Sequence, residues 1–470
     1  MRLRTRDYLL LLGVVLLAGY LRLTGLDWDG YRHYHPDERY IVWVGTTIAW
    51  PSDEQDFFDP RQNPLNPFYW PAEDLTAGGV VPLDEPRAFA YGHLPLYMGV
   101  GVMRLIEEVA PAVRPWLPGE WLLTRDILNG DELIEFRHLL VVGRMVTGLI
   151  DIGTILLTFW LGRRLFGTAA GLWAAALLAV TVLHIQLAHF FTTDPYTTFF
   201  VTAALCGMVA AVMARPSRQA GAFYVAAVLV GLAVGSKFSA VVLGAPLLLA
   251  AWLSGRSVFW WRSIVAGVLA VIAFAVTNPF ALLDNNCEAI TPATTILGYE
   301  IPAIDWQSCY LENIGRQSVM VQGGAAFPFT RQYDGTTPYL YFVEMQVRWG
   351  MGWLLGIVAF AGFVWVIGWC GVGLWRGWRG GKRPSAAQMG CLLLLGWCVP
   401  YFISTGNFYV KFMRYLQPII PLLILFGVGM IWSLPWQRLK QGVLAVVWGR
   451  IAQVQGVVGV PVVLVLAEAQ

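Results

Sequence analysis

Apolar runs recur along the whole chain, some parted by a few basic residues and others by long polar segments. A helix needs about 20 mostly apolar residues to cross a bilayer core. Runs meeting or approaching that length are Tyr8 to Leu26, Leu139 to Leu161, Ala169 to Leu187, Tyr196 to Met213, Ala220 to Val234, Phe238 to Leu253, Ser263 to Leu283, Met351 to Trp375, Met389 to Ser404, Tyr415 to Leu434 and Gly442 to Leu466. The pattern predicts an all-α polytopic membrane protein with about eleven transmembrane helices. One apolar stretch, YGHLPLYMGVGVMRLIEEV from Tyr91 to Val109, is interrupted by His93, Pro95 and Arg104 and closes on Glu107 and Glu108.

Composition agrees with this class. The chain is 57% hydrophobic and 13% charged, more apolar and less charged than ordinary soluble domains. A net charge of +2 gives no basic surplus for nucleic acid, so the position of each basic residue matters more than their sum. The N-terminal MRLRTRDYLLLLGVVLLAGYLRL is a basic flank followed by an apolar run without a convincing small-residue cleavage site, and it reads as a retained first span.

Short cytoplasmic loops collect Lys and Arg. Arg2, Arg4 and Arg6 put the N-terminus inside. If Tyr91 to Val109 lies on the membrane as an amphipathic helix, the loops holding Arg163 and Arg164, Arg215 and Arg218, Arg256 and Arg262, Arg376 to Arg383, and Arg438 and Lys440 all fall inside too. If it crosses, all of them turn outward, so the non-crossing reading is adopted. The organisation expected is a first transmembrane helix (1–26), an outer loop with an acidic motif and a juxtamembrane helix (27–138), transmembrane helices two to seven (139–283), a second large outer loop (284–350) and C-terminal transmembrane helices (351–470). The setting is the plasma (inner) membrane. Cys287 and Cys309 then share the outer compartment, where a disulfide can form, although sequence alone does not show that they are close. Cys206, Cys370, Cys391 and Cys398 read as packing residues in or near spans.

The outer side also receives all six histidines and several candidate acids. YRHYHPDERY sets Asp37 and Glu38 just beyond the first span, where the plain alternative is a solvated turn begun by His35-Pro36. HIQLAHFFTTDPYTTFF places Asp194 at an outer helix junction, as a helix N-cap with Pro195 at the first helical position, as a third carboxylate at the same face, or as both. NFYVKFMRYLQPIIP sets Lys411 and Arg414 on one helix face, where they either snorkel or hold phosphate. GLAVGSKFSA puts Lys237 in a break between two apolar runs, and an intramembrane Lys needs a partner or water. Acids and cations meeting at one face suit deprotonation of a nucleophile and stabilisation of a leaving phosphate. The chain carries no Walker loop, so a lipid-linked phosphate donor fits better than a nucleotide.

These stretches together, HPDERY, YGHLPLY, GRRLFG, HFFTTD, GLAVGSKFSA and KFMRYLQPIIP, carry a resemblance over most of the chain up to Leu434. The sequence resembles bacterial members of the protein O-mannosyltransferase family, within the polytopic glycosyltransferases that include lipid A aminoarabinose transferases. The resemblance implies a GT-C fold and transfer of a sugar from a polyprenyl-phosphate carrier to an acceptor lipid, glycan or protein. It implies Asp37 as catalytic base with Glu38 beside it, Asp194 as the second acid, and Lys237, Lys411, Arg414 and Tyr415 about the carrier phosphate. His35, His93, Tyr97 and His189 are expected to line the cavity. The sequence makes no cofactor certain and leaves a divalent metal open, with the histidines as candidate ligands. Some relatives bind a divalent metal, yet no histidine here sits in a ligand-spaced array and no metal ligand is assigned. The rival readings are a secondary transporter relaying protons through the acids, which places its acids nearer the bilayer midplane, and a non-catalytic membrane scaffold, which leaves the cations without a purpose.

Overall fold

The computed structural model describes residues 4–69, 86–116, 136–287, 289–291, 294–296, 299–301, 304–324, 327–381 and 384–434. The chain enters through α1 (Thr5–Leu23), whose Leu9, Leu12 and Leu16 are exposed as lipid-facing residues are. The first long polar segment holds α2 (Pro36–Thr46), α3 (Glu54–Phe58) and α4 (His93–Val113). Seven helices come next: α5 (Phe136–Phe166), α6 (Thr168–Ala179), α7 (Val182–Ala188), α8 (Thr193–Met213), α9 (Pro216–Ser236), α10 (Gly244–Leu253) and α11 (Phe259–Thr277). The second long segment carries α12 (Phe280–Leu283), α13 (Cys309–Val321) and α14 (Leu340–Met345), and then come α15 (Trp353–Gly380), α16 (Ala386–Gly406) and α17 (Ile420–Ser433). Between α12 and α13 lie two short antiparallel ribbons, β1 (Ala289–Thr291) with β4 (Ile304–Trp306) and β2 (Thr294–Ile296) with β3 (Tyr299–Ile301).

Seven helices among the described residues are long and apolar enough to cross a membrane, eight when α6 and α7 count as one bent span. The stretch Phe238–Leu253 is shorter than these, α1 is outside this set, and the run Gly442 to Leu466 lies outside the described residues, so the expected eleven is not reached by this criterion. The run Ala169 to Leu187 departs from the expected single helix: it breaks at Val180 and Thr181 and bends by 59°. The segment Tyr91 to Val109 forms α4, which lays His93, Leu96, Val100 and Met103 inward and is not among the helices that meet the crossing criterion.

Burial orders the bundle. The span Met413–Ser433, which ends in α17, is 78% buried and α8 is 72% buried, whereas α11 is only 11% buried, so α17 and α8 are central and α11 is peripheral. Small residues allow the closest approaches: a Cβ on Gly362 in α15 would stand 2.3 Å from the backbone nitrogen of Gly427 in α17, the kind of contact that substitutes for hydrophobic drive between helices in lipid.

Cys287 and Cys309 form a disulfide with Cα atoms 4.8 Å apart, tying the exit of α12 to the start of α13. Removing a cross-link of this kind costs about 2–4 kcal/mol. Cys287→Ala is therefore expected to lower the melting temperature in detergent, and reductant is expected to lower the wild type to the same value while leaving the variant where it is.

Candidate active site

The local sequence His-Pro-Asp-Glu determines how α2 begins. His35 is the N-cap, its Nδ1 facing the Glu38 N–H at 3.3 Å, and Pro36 takes the first helical position where its missing N–H is harmless. Asp37 and Glu38 come next in the first turn, favoured by the helix dipole. Being consecutive on a helix, they point apart. Glu38 is fully buried and accepts from Arg144 Nε at 2.8 Å, Arg144 Nη2 at 2.7 Å and the Phe191 N–H at 2.7 Å. The same guanidinium donates to Asp29 at 3.0 and 2.9 Å and to the Leu26 carbonyl at 2.6 Å. Asp29 in turn accepts from the Tyr31 and His33 N–H groups, in a loop where both residues take positive φ, 62° and 55°. Non-glycine residues rarely adopt that conformation, and here the carboxylate holds it. Phe191 seats its ring on Gly99 and Gly143, where an added Cβ would come within 2.3 and 2.4 Å of the ring.

Asp37 faces the other way and remains a quarter exposed. Arg414 Nη2 pairs with its Oδ2 at 2.6 Å, and the Tyr91 hydroxyl lies close enough to feel its charge. Arg414 Nε lies 3.7 Å from Asp194 Oδ2, and Lys237 Nζ pairs with Asp194 Oδ1 at 2.6 Å. The ring of Tyr415 lies 5.0 Å from Lys237 Nζ and 6.0 Å from the Arg414 guanidinium, within cation–π reach of both. Carboxylates and cations thus alternate from Asp37 through Arg414 and Asp194 to Lys237, open to solvent at both ends and closed at Asp194, whose side chain is 4% exposed. Arg414 Nη1 also lies 3.0 Å from His35 Nε2. Burial, and after it the nearby Arg414 charge, pushes His35 down to about 4, so the ring is neutral at neutral pH.

Local backbone explains these placements. Lys237 caps the end of α9 with extended backbone where the chain turns into a 3-10 stretch, Phe238–Leu243. Asp194 is not the cap of its helix: Thr192 holds the N-cap position, which leaves the Asp194 carboxylate to Lys237 and Arg414. Lys411 is 3% exposed, donates to the Tyr409 carbonyl at 3.1 Å and has no ion-pair partner among the described residues. Burial lowers its ammonium pKa.

Three expected cavity residues lie elsewhere. His93 is fully buried among the rings of Phe68, Phe89, Tyr97 and Tyr310, and the Tyr97 hydroxyl donates to the Leu65 carbonyl at 2.8 Å. His93 lies on the inward stripe of α4, and Tyr97 packs half-buried against the core between α4 and the long polar segments. His189 bridges the carbonyls of Ile185 at 2.8 Å and Thr24 at 3.0 Å, joining α7 to the exit of α1. Two residues of the site, Arg144 and Tyr91, are not among those the sequence pattern singles out. For Arg144 a signal exists, since an arginine inside an apolar run of spanning length marks a site by default.

Among the described residues, no three of His, Cys, Asp and Glu stand together as metal ligands. The space between Asp37 and Asp194 is taken by the Arg414 guanidinium.

This arrangement of helices is the GT-C fold of polytopic membrane glycosyltransferases. The chain superposes on the Archaeoglobus fulgidus oligosaccharyltransferase in complex with Zn and sulfate with a TM-score of 0.52, at 15% identity over 90% of this chain and 49% of that one. The archaeal oligosaccharyltransferase AglB from the same organism, in complex with an inhibitory peptide and a dolichol-phosphate, gives 0.50 at 14% identity over 98% and 53%. ArnT from Cupriavidus metallidurans bound to undecaprenyl phosphate gives 0.49 at 16% identity over 98% and 67%. The chain spans about half the length of the oligosaccharyltransferases it matches. Residues 135–282, from the start of α5 into α12, match the family model of the dolichyl-phosphate-mannose-protein mannosyltransferases, and the resemblance to that group stands on this match and on the fold. No curated protein matches the sequence.

Proposed function

We propose that the protein is an inverting glycosyltransferase that moves a sugar from a polyprenyl-phosphate carrier to an acceptor hydroxyl at the outer face of the membrane. The observation that carries this reading is the alternating array of Asp37, Arg414, Asp194 and Lys237, with Lys411 buried nearby in sequence and free of carboxylates among the described residues. The dolichol-phosphate of the archaeal oligosaccharyltransferase and the dolichyl-phosphate-mannose of the matched family support a lipid-phosphate donor. The Cys287–Cys309 disulfide supports the outer side for the second polar segment, since disulfides persist in oxidising compartments.

In the resting state Arg414 is engaged by Asp37. A carrier phosphate competes for the guanidinium, which forks well onto phosphate oxygens, and its withdrawal frees the Asp37 carboxylate. Asp37 then takes the proton of the acceptor hydroxyl, the oxygen bonds to the anomeric carbon, and the bond from that carbon to the phosphate oxygen breaks. The polyprenyl phosphate leaves with the electron pair, held by Arg414 and Lys411. Asp194, fixed by Lys237, orients the acceptor. Glu38, whose oxygens are taken by Arg144 and the Phe191 N–H, holds α2 in place instead of touching substrate.

The test is purified protein in lipid with a panel of polyprenyl-phosphate sugars, tracking acceptor-dependent release of free polyprenyl phosphate. Lys411→Met is expected to raise the donor KM about 10- to 100-fold, the value of one charge-assisted hydrogen bond, with a smaller change in kcat. A wild type that neither binds nor turns over any donor would sink the reading.

A further inference from the structure

A second ionic cluster lies within the helical core and is unused by the chemistry above. Arg22 near the end of α1, Asp151 in α5 and His184 in α7 are all fully buried. Arg22 Nε donates to Asp151 Oδ2 at 2.6 Å, its Nη1 to the Ala179 carbonyl at 2.8 Å and its Nη2 to the Leu178 carbonyl at 3.3 Å. His184 Nδ1 lies 2.7 Å from the other Asp151 oxygen.

Leu178 and Ala179 are the last residues of α6, at the 59° break before α7. Carbonyls at a helix C-terminus lack intrahelical partners and carry the negative end of the dipole. A guanidinium placed there satisfies both needs and stabilises the break. Asp151 then holds Arg22 on one oxygen and His184 on the other, so α5 fixes both the end of α6 and the body of α7. The path from α7 to the candidate site is short: Phe191, whose N–H binds Glu38, then the Thr192 cap of α8, then Asp194. Glu38 belongs to the turn of α2 that presents Asp37. Arg144 and Asp151 stand two turns apart on the same face of α5, and each gathers one set of these contacts. A buried ion network is weak support for stability, since apolar replacements of similar volume often do as well. Its value here lies in direction and register.

We propose that Arg22, Asp151 and His184 form a positioning site that fixes the bend between α6 and α7 and so sets Asp194 against Asp37. The proposal rests on reading Asp37 as the base and Asp194 as the residue that orients the acceptor, and its test includes a readout that does not.

The experiment compares wild type with Asp151→Asn, Arg22→Lys and His184→Gln, each as the full chain in lipid. A misplacement of about 1 Å costs on the order of 100-fold in rate. Asp151→Asn and Arg22→Lys, which lose respectively the charge and the fork, are expected to lower kcat about 10- to 100-fold with donor KM within about two-fold. His184→Gln keeps an amide donor for Asp151 and is expected to retain more of kcat than either. Amide exchange over residues 189–194 is expected to rise in Asp151→Asn while that of α15 and α16 stays as in wild type. Unchanged kcat with unchanged exchange in a folded variant overturns the proposal, as does exchange that rises evenly through every helix. If Asp151→Asn does not fold, His184→Leu, which removes the bond to Asp151 and leaves the Arg22–Asp151 pair intact, carries the same two readouts. If wild type turns over no donor, the transferase reading fails, and the exchange pattern alone still decides whether these residues position the segment.

Discussion

Asp37→Asn is expected to lower kcat by about 10²–10⁴, the usual contribution of a positioned general base, while the donor still binds. The amide keeps the shape of the carboxylate and an oxygen for Arg414, so α2 and its N-cap remain as they are; what is lost is the ability to take a proton. Donor affinity is expected to hold or to improve, because Arg414, no longer paired with a full charge at 2.6 Å, is freer for phosphate. This opposite movement of binding and turnover separates the base from a residue that merely shapes the pocket. Asp194→Asn gives the contrast: it loosens Lys237, its ion-pair partner, and is expected to disturb donor and acceptor KM together with kcat. Release of polyprenyl phosphate and equilibrium donor binding, measured on the same preparations, check both. A folded Asp37→Asn enzyme that turns over like the wild type removes Asp37 from the chemistry.

Much of this site is legible in the sequence because each member breaks a local rule. Lys237 interrupts an apolar run, Lys411 and Arg414 crowd the mouth of a helix, and His35-Pro36 announces a helix start with two acids behind it. Such violations in a chain that otherwise obeys its pattern are expected at functional positions. The sequence does not show which of two adjacent acids turns inward. That depends on Arg144, far along the chain and hidden inside an apolar run, and on the backbone of Phe191. The break at Thr181 is equally hidden, since nothing in LLAVTVLHIQ forbids a continuous helix. The partner that stabilises the bend, Arg22, reads in sequence as the closing charge of the first span. His93 misleads for the converse reason: a polar residue on an amphipathic helix suggests a cavity, whereas the rings of Phe68, Phe89 and Tyr310, from separate stretches, enclose it. Contacts across such separations are set by packing, which local pattern does not contain.

Arg144→Met is expected to be strongly destabilising. The guanidinium is fully buried and neutralises two fully buried carboxylates, Glu38 and Asp29, while also satisfying the Leu26 carbonyl. Removing one member of a buried ion network leaves the others uncompensated and costs about 3–5 kcal/mol. The same geometry sets the sign of the pH dependence. Burial already pushes the Glu38 carboxyl up against the pull of Arg144, and without that pull its folded pKa stands further above the unfolded value. The folded variant then binds more protons than the unfolded chain, so its stability is highest below the ordinary carboxylate range and falls as pH rises from that range through the raised pKa of Glu38. Adding Glu38→Gln and Asp29→Asn to Arg144→Met removes the two stranded charges and is expected to restore most of the stability at neutral pH, but not the activity, because α2 loses the anchor that aims Asp37. Thermal melts across pH on the single and triple variants check this. Equal deficits at every pH, or a triple variant no more stable than the single one, would mean that Arg144 acts through packing alone and that the Glu38 carboxylate does not direct α2.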